Sequence, residues 1–389
     1  MLSTTACAPV SGDGAGDDAE QRPPEITFGG RLVFVDGQTV AYMDGVSGAR
    51  HDGSTLDGEL GWSGFAVLRA DGALVYESIV EGTSSIRLVD GSEDTLLARD
   101  VTAVHGHSDT MVIVSHRGST HAVPFDGGTA TDLGLEEAVT AAISQSGADL
   151  AFSSAIPTAT AETALGEPEQ RLAVRALTKP GLGEEVERGW YAYRIHWLDD
   201  DVLAYTRVPF GGGEFGDVVL LDRRSDETTV LVSAARVIDA DGARRLLAIA
   251  HDDTGEAGII SVVDCSDPSA VVSTDFESPP PDSIDAASFL TREPALVVAF
   301  RHEDNSSALV RFDATTQSQH TISEFESTLV SQALAHPDAP IVFFVTERPS
   351  SVPGEVDRTV NACDLDSDRV AELAAGSAEG LLTLVGVIE

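Results

Sequence analysis

Leu381-Leu382-Thr383-Leu384-Val385-Gly386-Val387-Ile388, at the C-terminal end of the chain, has the composition of a β-strand, with no strand after it to pair with. Upstream, short runs rich in Val, Ile, Leu and Phe recur between Asp-Gly, Ser-Gly and Pro-Asp turns. The strong runs are Leu32–Val35, Leu74–Ile79, Met111–Ser115, Leu150–Ser154, Val202–Val208, Leu246–Ala250, Leu296–Phe300 and Ile341–Thr346. Each is followed by a weaker run, which in most copies ends in aspartate, as in Met43-Asp44, Leu221-Asp222, Phe312-Asp313 and Cys363-Asp364. Seven of the strong runs are also preceded by an apolar segment: Phe65–Leu68, Val101–Val104, Val139–Ile143, Tyr193–Trp197, Ala234–Ile238, Ala286–Leu290 and Val330–Leu334. Only Leu32–Val35 lacks this predecessor, and Leu381–Ile388 is the spare segment that can supply it.

With strands lettered A to D within each repeat, the strong run is B, its predecessor A and its follower C. The repeat averages about 45 residues, the length of a four-stranded blade. The expectation is an all-β chain: a β-propeller of about eight four-stranded blades over residues 26–389, closed by the C-terminal strand pairing with the N-terminal blade. Seven blades is the alternative count. No segment sustains a helical period for more than a couple of turns, the best being Leu135–Ile143 and Val370–Ala375.

The turns between A and B carry a resemblance. Arg69-Ala70-Asp71-Gly72-Ala73-Leu74-Val75-Tyr76 and Ala335-His336-Pro337-Asp338-Ala339-Pro340-Ile341-Val342-Phe343 resemble the TolB-like and WD-like propeller repeat, which reads serine, proline, aspartate, glycine and then an apolar strand. The paired Gly-His and Trp-Asp signature of true WD repeats is absent. TolB-like proteins are periplasmic and bind other proteins, so the resemblance implies an extracytoplasmic, periplasmic or cell-surface binding role.

Composition narrows the partners. Sixty-four acidic residues against 24 Lys plus Arg give a formal net charge of −40 in 389 residues. Such a surface repels nucleic acid and anionic lipid, because phosphate binding needs cations. Lys179 is the only lysine, which fits a GC-rich genome or adaptation to high salt. No run approaches the roughly 18 to 20 apolar residues of a spanning helix. Cys7, preceded by Ser3-Thr4-Thr5-Ala6, resembles the end of a bacterial lipoprotein signal, although Thr4 stands where that pattern has leucine. The resemblance implies lipidation at Cys7, with residues 1–25 as an acidic, disordered tether and a membrane met only through the anchor.

Motifs for chemistry are sparse, and no catalytic set or bound cofactor is expected. Gly211, Gly213 and Gly216 have dinucleotide-binding spacing, but a strand follows where that fingerprint needs a helix, so they read as a hairpin loop. Asp364, Asp366 and Asp368 alternate as in calcium loops but lack the glycine and the final glutamate, and read as a C–D turn. His105 and His107, two apart, read as solvated polar residues. Cys265 and Cys363 end C strands two blades apart and read as free thiols.

Two reading frames for function remain. His251 with Asp252-Asp253 and His302 with Glu303-Asp304 follow B strands of neighbouring blades, so His251, Asp253, His302 and Asp304 could share a divalent metal, with Asp252 or Glu303 as ligand or base. That would make a metal-dependent hydrolase or lyase; the plainer reading is two solvated loop ends. The leading expectation is a non-catalytic module binding a protein or carbohydrate. Long B–C loops at Ile156–Gln170, Pro209–Gly216 and Arg348–Arg358 should share one face, beside Trp190, Tyr191, Tyr193, Arg194, His196 and Trp197. Alternate residues of that run must nevertheless point inward.

Overall fold

The computed structural model describes residues 26–61, 63–136, 138–156, 168–179, 181–210, 213–251, 258–279, 283–352, 355–376 and 381–388. Cys7 and the rest of the 1–25 tether, together with Asp252 and Asp253, lie outside the described residues. Among those described there is no α-helix, and every sheet pairing is antiparallel.

The first B run forms β1 (Arg31–Asp36), which pairs with β2 (Thr39–Asp44) on one edge and with the C-terminal β31 (Leu382–Ile388) on the other. β3 (Arg50–Thr55) lies beyond β2. Leu32 and Phe34 pack into one apolar cluster with Phe343 and Val345, whereas Val33 and Val35 pack into another with Leu74 and Tyr76. Unbroken apolar runs occur in the B strands because both faces are covered.

The next sheet holds β5 (Ala66–Leu68), β6 (Leu74–Val80), β7 (Thr83–Asp90), β8 (Glu93–His107), β9 (Met111–His116), β10 (Ser119–Pro124) and β11 (Thr131–Glu136). β4 (Glu59–Leu60), a two-residue strand not anticipated from the sequence, also pairs with β6. A four-stranded sheet follows, of β12 (Thr140–Ile143), β13 (Asp149–Ala155), β14 (Gln170–Ala176) and β15 (Glu184–Gly189). A seven-stranded sheet then runs through β16 (Tyr191–Trp197), β17 (Val202–Pro209), β18 (Gly216–Asp222), β19 (Glu227–Asp241), β20 (Leu246–His251), β21 (Gly258–Asp264) and β22 (Val272–Ser278). Two four-stranded sheets finish the chain: β23 (Ile284–Phe289) to β24 (Ala295–Arg301), β25 (Ser307–Asp313) and β26 (Ser318–Phe325), then β27 (Leu329–Ala335) to β28 (Ile341–Pro349), β29 (Val356–Asp364) and β30 (Arg369–Ala375).

Several expectations change in detail. Among the described residues of Leu135–Ile143 and in Val370–Ala375 there is no helix: Leu135 and Glu136 lie in β11, Thr140–Ile143 in β12 and Val370–Ala375 in β30, where ladder pairing satisfies the backbone. The Arg348–Arg358 loop is shorter than expected, because β28 and β29 stay paired out to Pro349↔Val356. β8 and β19 are continuous, each serving first as the outer strand of one ladder and then as the inner strand of the next. The kinks that allow this fall at Asp100 and Ala234, both with positive φ, next to shifts in register.

The aspartate that follows the C strand has a local cause. Asp222, Asp264, Asp313 and Asp364 each accept a hydrogen bond on Oδ1 from the backbone N–H two residues on, at 2.8–3.0 Å, folding the turn into the outer strand. In the Asp364-x-Asp366-x-Asp368 stretch, Asp364 also accepts from Ser367 Oγ at 2.8 Å, while Asp368 has φ of 53° and bonds His320 Nε2 at 2.9 Å. The Asp364 carboxylate therefore serves the turn, and that of Asp368 bonds the neighbouring ladder. Cys265 and Cys363 are both free and buried, with their thiols pushed up to about 12 by burial.

Eight apolar clusters pack the described residues, each spanning neighbouring ladders. One of them joins β28, β29 and β30 to β1, β2 and β31, with Ile26 and Phe28 buried in it. Deleting residues 381–389 strips Leu382 and Leu384 from this cluster and leaves one edge of β1 unpaired. The expected cost is about 5 kcal/mol or more, read as a lower denaturant midpoint, since several large side chains lose their cover together. A truncated protein with the full-length midpoint would show the last strand to be dispensable.

Candidate functional site

The aromatic run enters β16 at the end where β17 finishes and β18 begins, and strand alternation divides it. Tyr191, Tyr193, Ile195 and Trp197 pack towards β13, β14 and β17. Ala192, Arg194 and His196 occupy the opposite face. Tyr193 and Trp197, expected on the binding face, are buried at 3% and 8% exposure, and the indole N–H of Trp197 donates to the Ala142 carbonyl at 3.0 Å. They are core residues because this inner strand must fill the wedge against the preceding ladder. Trp190, just before the strand, is 45% exposed.

Behind Trp190 is a ladder of rings and charges. Tyr191 and Tyr193 meet edge-on at 6.2 Å, as do Tyr193 and Tyr205. The Tyr205 hydroxyl donates to Glu187 at 2.8 Å, and Arg207 joins Glu187 at 3.2 Å and Asp217 at 2.9 Å while lying over the Tyr191 ring. Burial, and then the Glu187 hydrogen bond, push the Tyr205 phenol up. The Tyr193 hydroxyl is buried with no hydrogen-bond partner among the described residues.

On the other face Glu214 bridges two arginines, Arg194 at 3.4 Å and Arg236 at closer range, and Arg236 lies over the Phe215 ring. Desolvation pushes the Glu214 carboxyl up, but Arg236 and Arg194 outweigh it and hold it below its usual value. The sequence reading missed Glu214, although it lies within the glycine-rich loop Gly211–Gly216. The strand after that loop begins at Gly216, where a Cβ would clash with the Arg207 carbonyl oxygen. That glycine serves close approach between strands; the pyrophosphate-cradling role is not needed to explain it.

The histidines are separately engaged. His251 Nε2 lies 2.6 Å from Ser261 Oγ, which donates to Asp275 Oδ1 at 2.6 Å. His302 and Asp304 sit in the β24–β25 turn, where Asp304 accepts from Ser306 N at 2.9 Å and Ser306 Oγ at 2.6 Å. Among the described residues no group of three or more His, Cys, Asp or Glu is placed to hold a metal ion, so His251, His302 and Asp304 are not brought into one centre, and Asp253 lies outside the description. His105 bonds Ser115 Oγ at 2.8 Å and His107 packs edge-on against Phe65, so neither is simply solvated.

No family model and no curated protein matches the chain. Solved structures do. A structure from a study of prolyl endopeptidases is 11% identical with a TM-score of 0.59, over 82% of this chain and 50% of that one. A eukaryotic initiation factor is 11% identical, TM-score 0.56, over 96% and 92%. An oligogalacturonate lyase in complex with manganese is 12% identical, TM-score 0.55, over 89% and 98%. The chain is a propeller-like all-β protein. These likenesses establish the fold alone, and the chain spans half the length of the endopeptidase it resembles.

His196 is half-buried, and burial followed by the Arg194 charge pushes its imidazole down to about 4. The folded protein therefore leaves it neutral while the unfolded chain takes up a proton near pH 6.5. Its contribution to stability is complete above about pH 6.5 and falls away as pH drops towards 4. In an NMR titration the His196 ring signals should stay fixed from pH 8 to about 5. A midpoint near 6.5 would contradict this.

Proposed function

We propose that the chain is an eight-bladed propeller that works outside the cytoplasm as a non-catalytic module, binding a protein or glycan on the rim beside Trp190. Reading β8 and β19 as shared strands divides the sheets into eight four-stranded ladders, and the eight inter-ladder clusters, one of them between last and first, support a closed ring. The TolB-like turn phrases and the resemblance around Cys7 support the compartment, with Cys7 as the lipid anchor.

The observation that carries the binding reading is Trp190, an indole exposed at 45% beside a built set of charges. It immediately precedes Tyr191, over whose ring Arg207 lies while pairing with Glu187 and Asp217, and Arg194, Glu214 and Arg236 form a second charged set next to β16. Tryptophan and arginine together are the usual makings of a binding hot spot, and an exposed indole flanked by charged hydrogen-bonding groups also suits a sugar ring.

The test starts with immobilised wild-type protein screened against a glycan array and the host's envelope proteins. Trp190→Ala should weaken the ligand found by about tenfold or more while leaving the melting temperature unchanged. Trp197→Ala is the wrong probe, since its ring is in the core. Retention of every wild-type ligand by Trp190→Ala would remove this face from consideration.

A further inference from the structure

A second surface lies away from the rim, where the outer strands of two ladders diverge. A groove of about 780 Å³ runs between the first half of β19 and the β20–β22 ladder. Glu227 and Thr229–Val232 form one wall, and Val263, Val271, Ser273 and Asp275 belong to the other. β19 pairs with β18 along Glu227–Val232, and its pairing with β20 begins only at Ala235. Among the described residues no strand occupies the second edge of Glu227–Val232. That edge lines the groove with backbone donors and acceptors, and Val230 on it is 50% exposed.

The charge of the groove is one-sided. Asp222, Glu227 and Asp275 line it, and no lysine or arginine is among its described lining residues. None of the three is in an ion pair among the described residues, although arginines elsewhere in the chain are extensively paired. Asp275 is held in place: Ser261 and Ser273 donate to its Oδ1 at 2.6 and 2.7 Å, and these bonds keep its carboxyl below the usual range. Ser261, itself 1% exposed, is fixed in turn by His251. Both hydroxyls converge on Oδ1, so Oδ2 has no protein partner among the described residues.

We propose that this groove binds an extended basic peptide, which adds to β19 as a further strand and places a cationic side chain against Asp275 and Glu227. The strand edge supplies main-chain bonds, and the carboxylates select the side chain. Side chains on an added strand alternate at period two, so one face carries every contact with the opposite wall.

The probe is a fluorescein-labelled octapeptide of alternating threonine and arginine, followed by anisotropy with the full chain. Two derivatives carry N-methyl groups on one or the other set of alternate residues, and a third replaces arginine by glutamate. Saturable binding is expected for the parent, weakened about tenfold or more by one N-methylation pattern and not the other, and absent for the acidic peptide. Glu227→Gln with Asp275→Asn should weaken the parent similarly. So should Val230→Lys, at an exposed position clear of the serine hydrogen bonds. Three results overturn the proposal: no saturable binding up to about 1 mM, equal binding of both N-methylated peptides, or wild-type affinity in these variants. Equal binding of the methylated peptides would mean charge alone on an acidic surface.

Discussion

The pairing of β31 with β1 is the constraint on which the rest of the architecture depends. Residues more than 340 positions apart share a ladder, in which Leu32 faces Val387 and Asp36 faces Leu382. Without that partner β1 would be an edge strand, and the cluster around Phe34, Phe343 and Val360 would lie open to water on one side. The buried ring of His336 bridges the same junction, bonding the Gly29 carbonyl at 3.0 Å through Nε2 and accepting from Asp338 N–H at 2.9 Å through Nδ1. Nε2 carries the proton in this arrangement, so the tautomer is set by its two backbone partners.

Much of the ladder order was legible because B strands are buried on both faces. A run such as Leu296–Phe300 has no polar alternation to confuse with a surface strand, and its two faces enter different clusters, Leu296 and Val298 on one side and Val297 and Ala299 on the other. The outer strands were not legible. β26 (Ser-Gln-His-Thr-Ile-Ser-Glu-Phe) is mostly exposed, so water tolerates almost any residue there and the hydrophobic pattern fades. The fusion of outer and inner strands in β8 and β19 was invisible for another reason. The kinks rest on left-handed backbone at Asp100 and Ala234, and alanine gives no warning of that conformation.

Side-chain roles followed the same division. The aromatic run was visible as composition, and its alternation correctly implied that half would turn inward, but composition alone could not say which half. Register decides it: Tyr193 stands opposite Arg207, Trp197 opposite Leu203, and the odd-numbered residues take the core. Glu214 carried no periodic signal, since its partners Arg194 and Arg236 come from two different inner strands. The histidines show the converse. His251 and His302 occupy equivalent positions after B strands, yet equivalence in the repeat does not bring their side chains together: His251 bonds Ser261, and His302 is exposed in its turn.

Charge separates the two surfaces. With 24 cationic residues against 64 acids, where an arginine is placed matters more than how many there are. Several tie ladders or turns together, as Arg223 does to Asp149 at 2.8 Å and Arg69 to the Phe125 carbonyl at 2.7 Å. Both contacts are part-buried, so they help fix the spacing of neighbouring ladders as well as shape the potential around them. On either face of β16 the charges are paired, Arg207 with Glu187 and Asp217 on one and Arg194 and Arg236 with Glu214 on the other, so each set is locally offset on a strongly anionic protein. Along β19 no lysine or arginine offsets Glu227 and Asp275 among the described lining residues, and His251 is the one imidazole there. On the two proposals made above, the rim beside Trp190 would meet a neutral or mixed-charge ligand, whereas the β19 groove would favour a cation before contact.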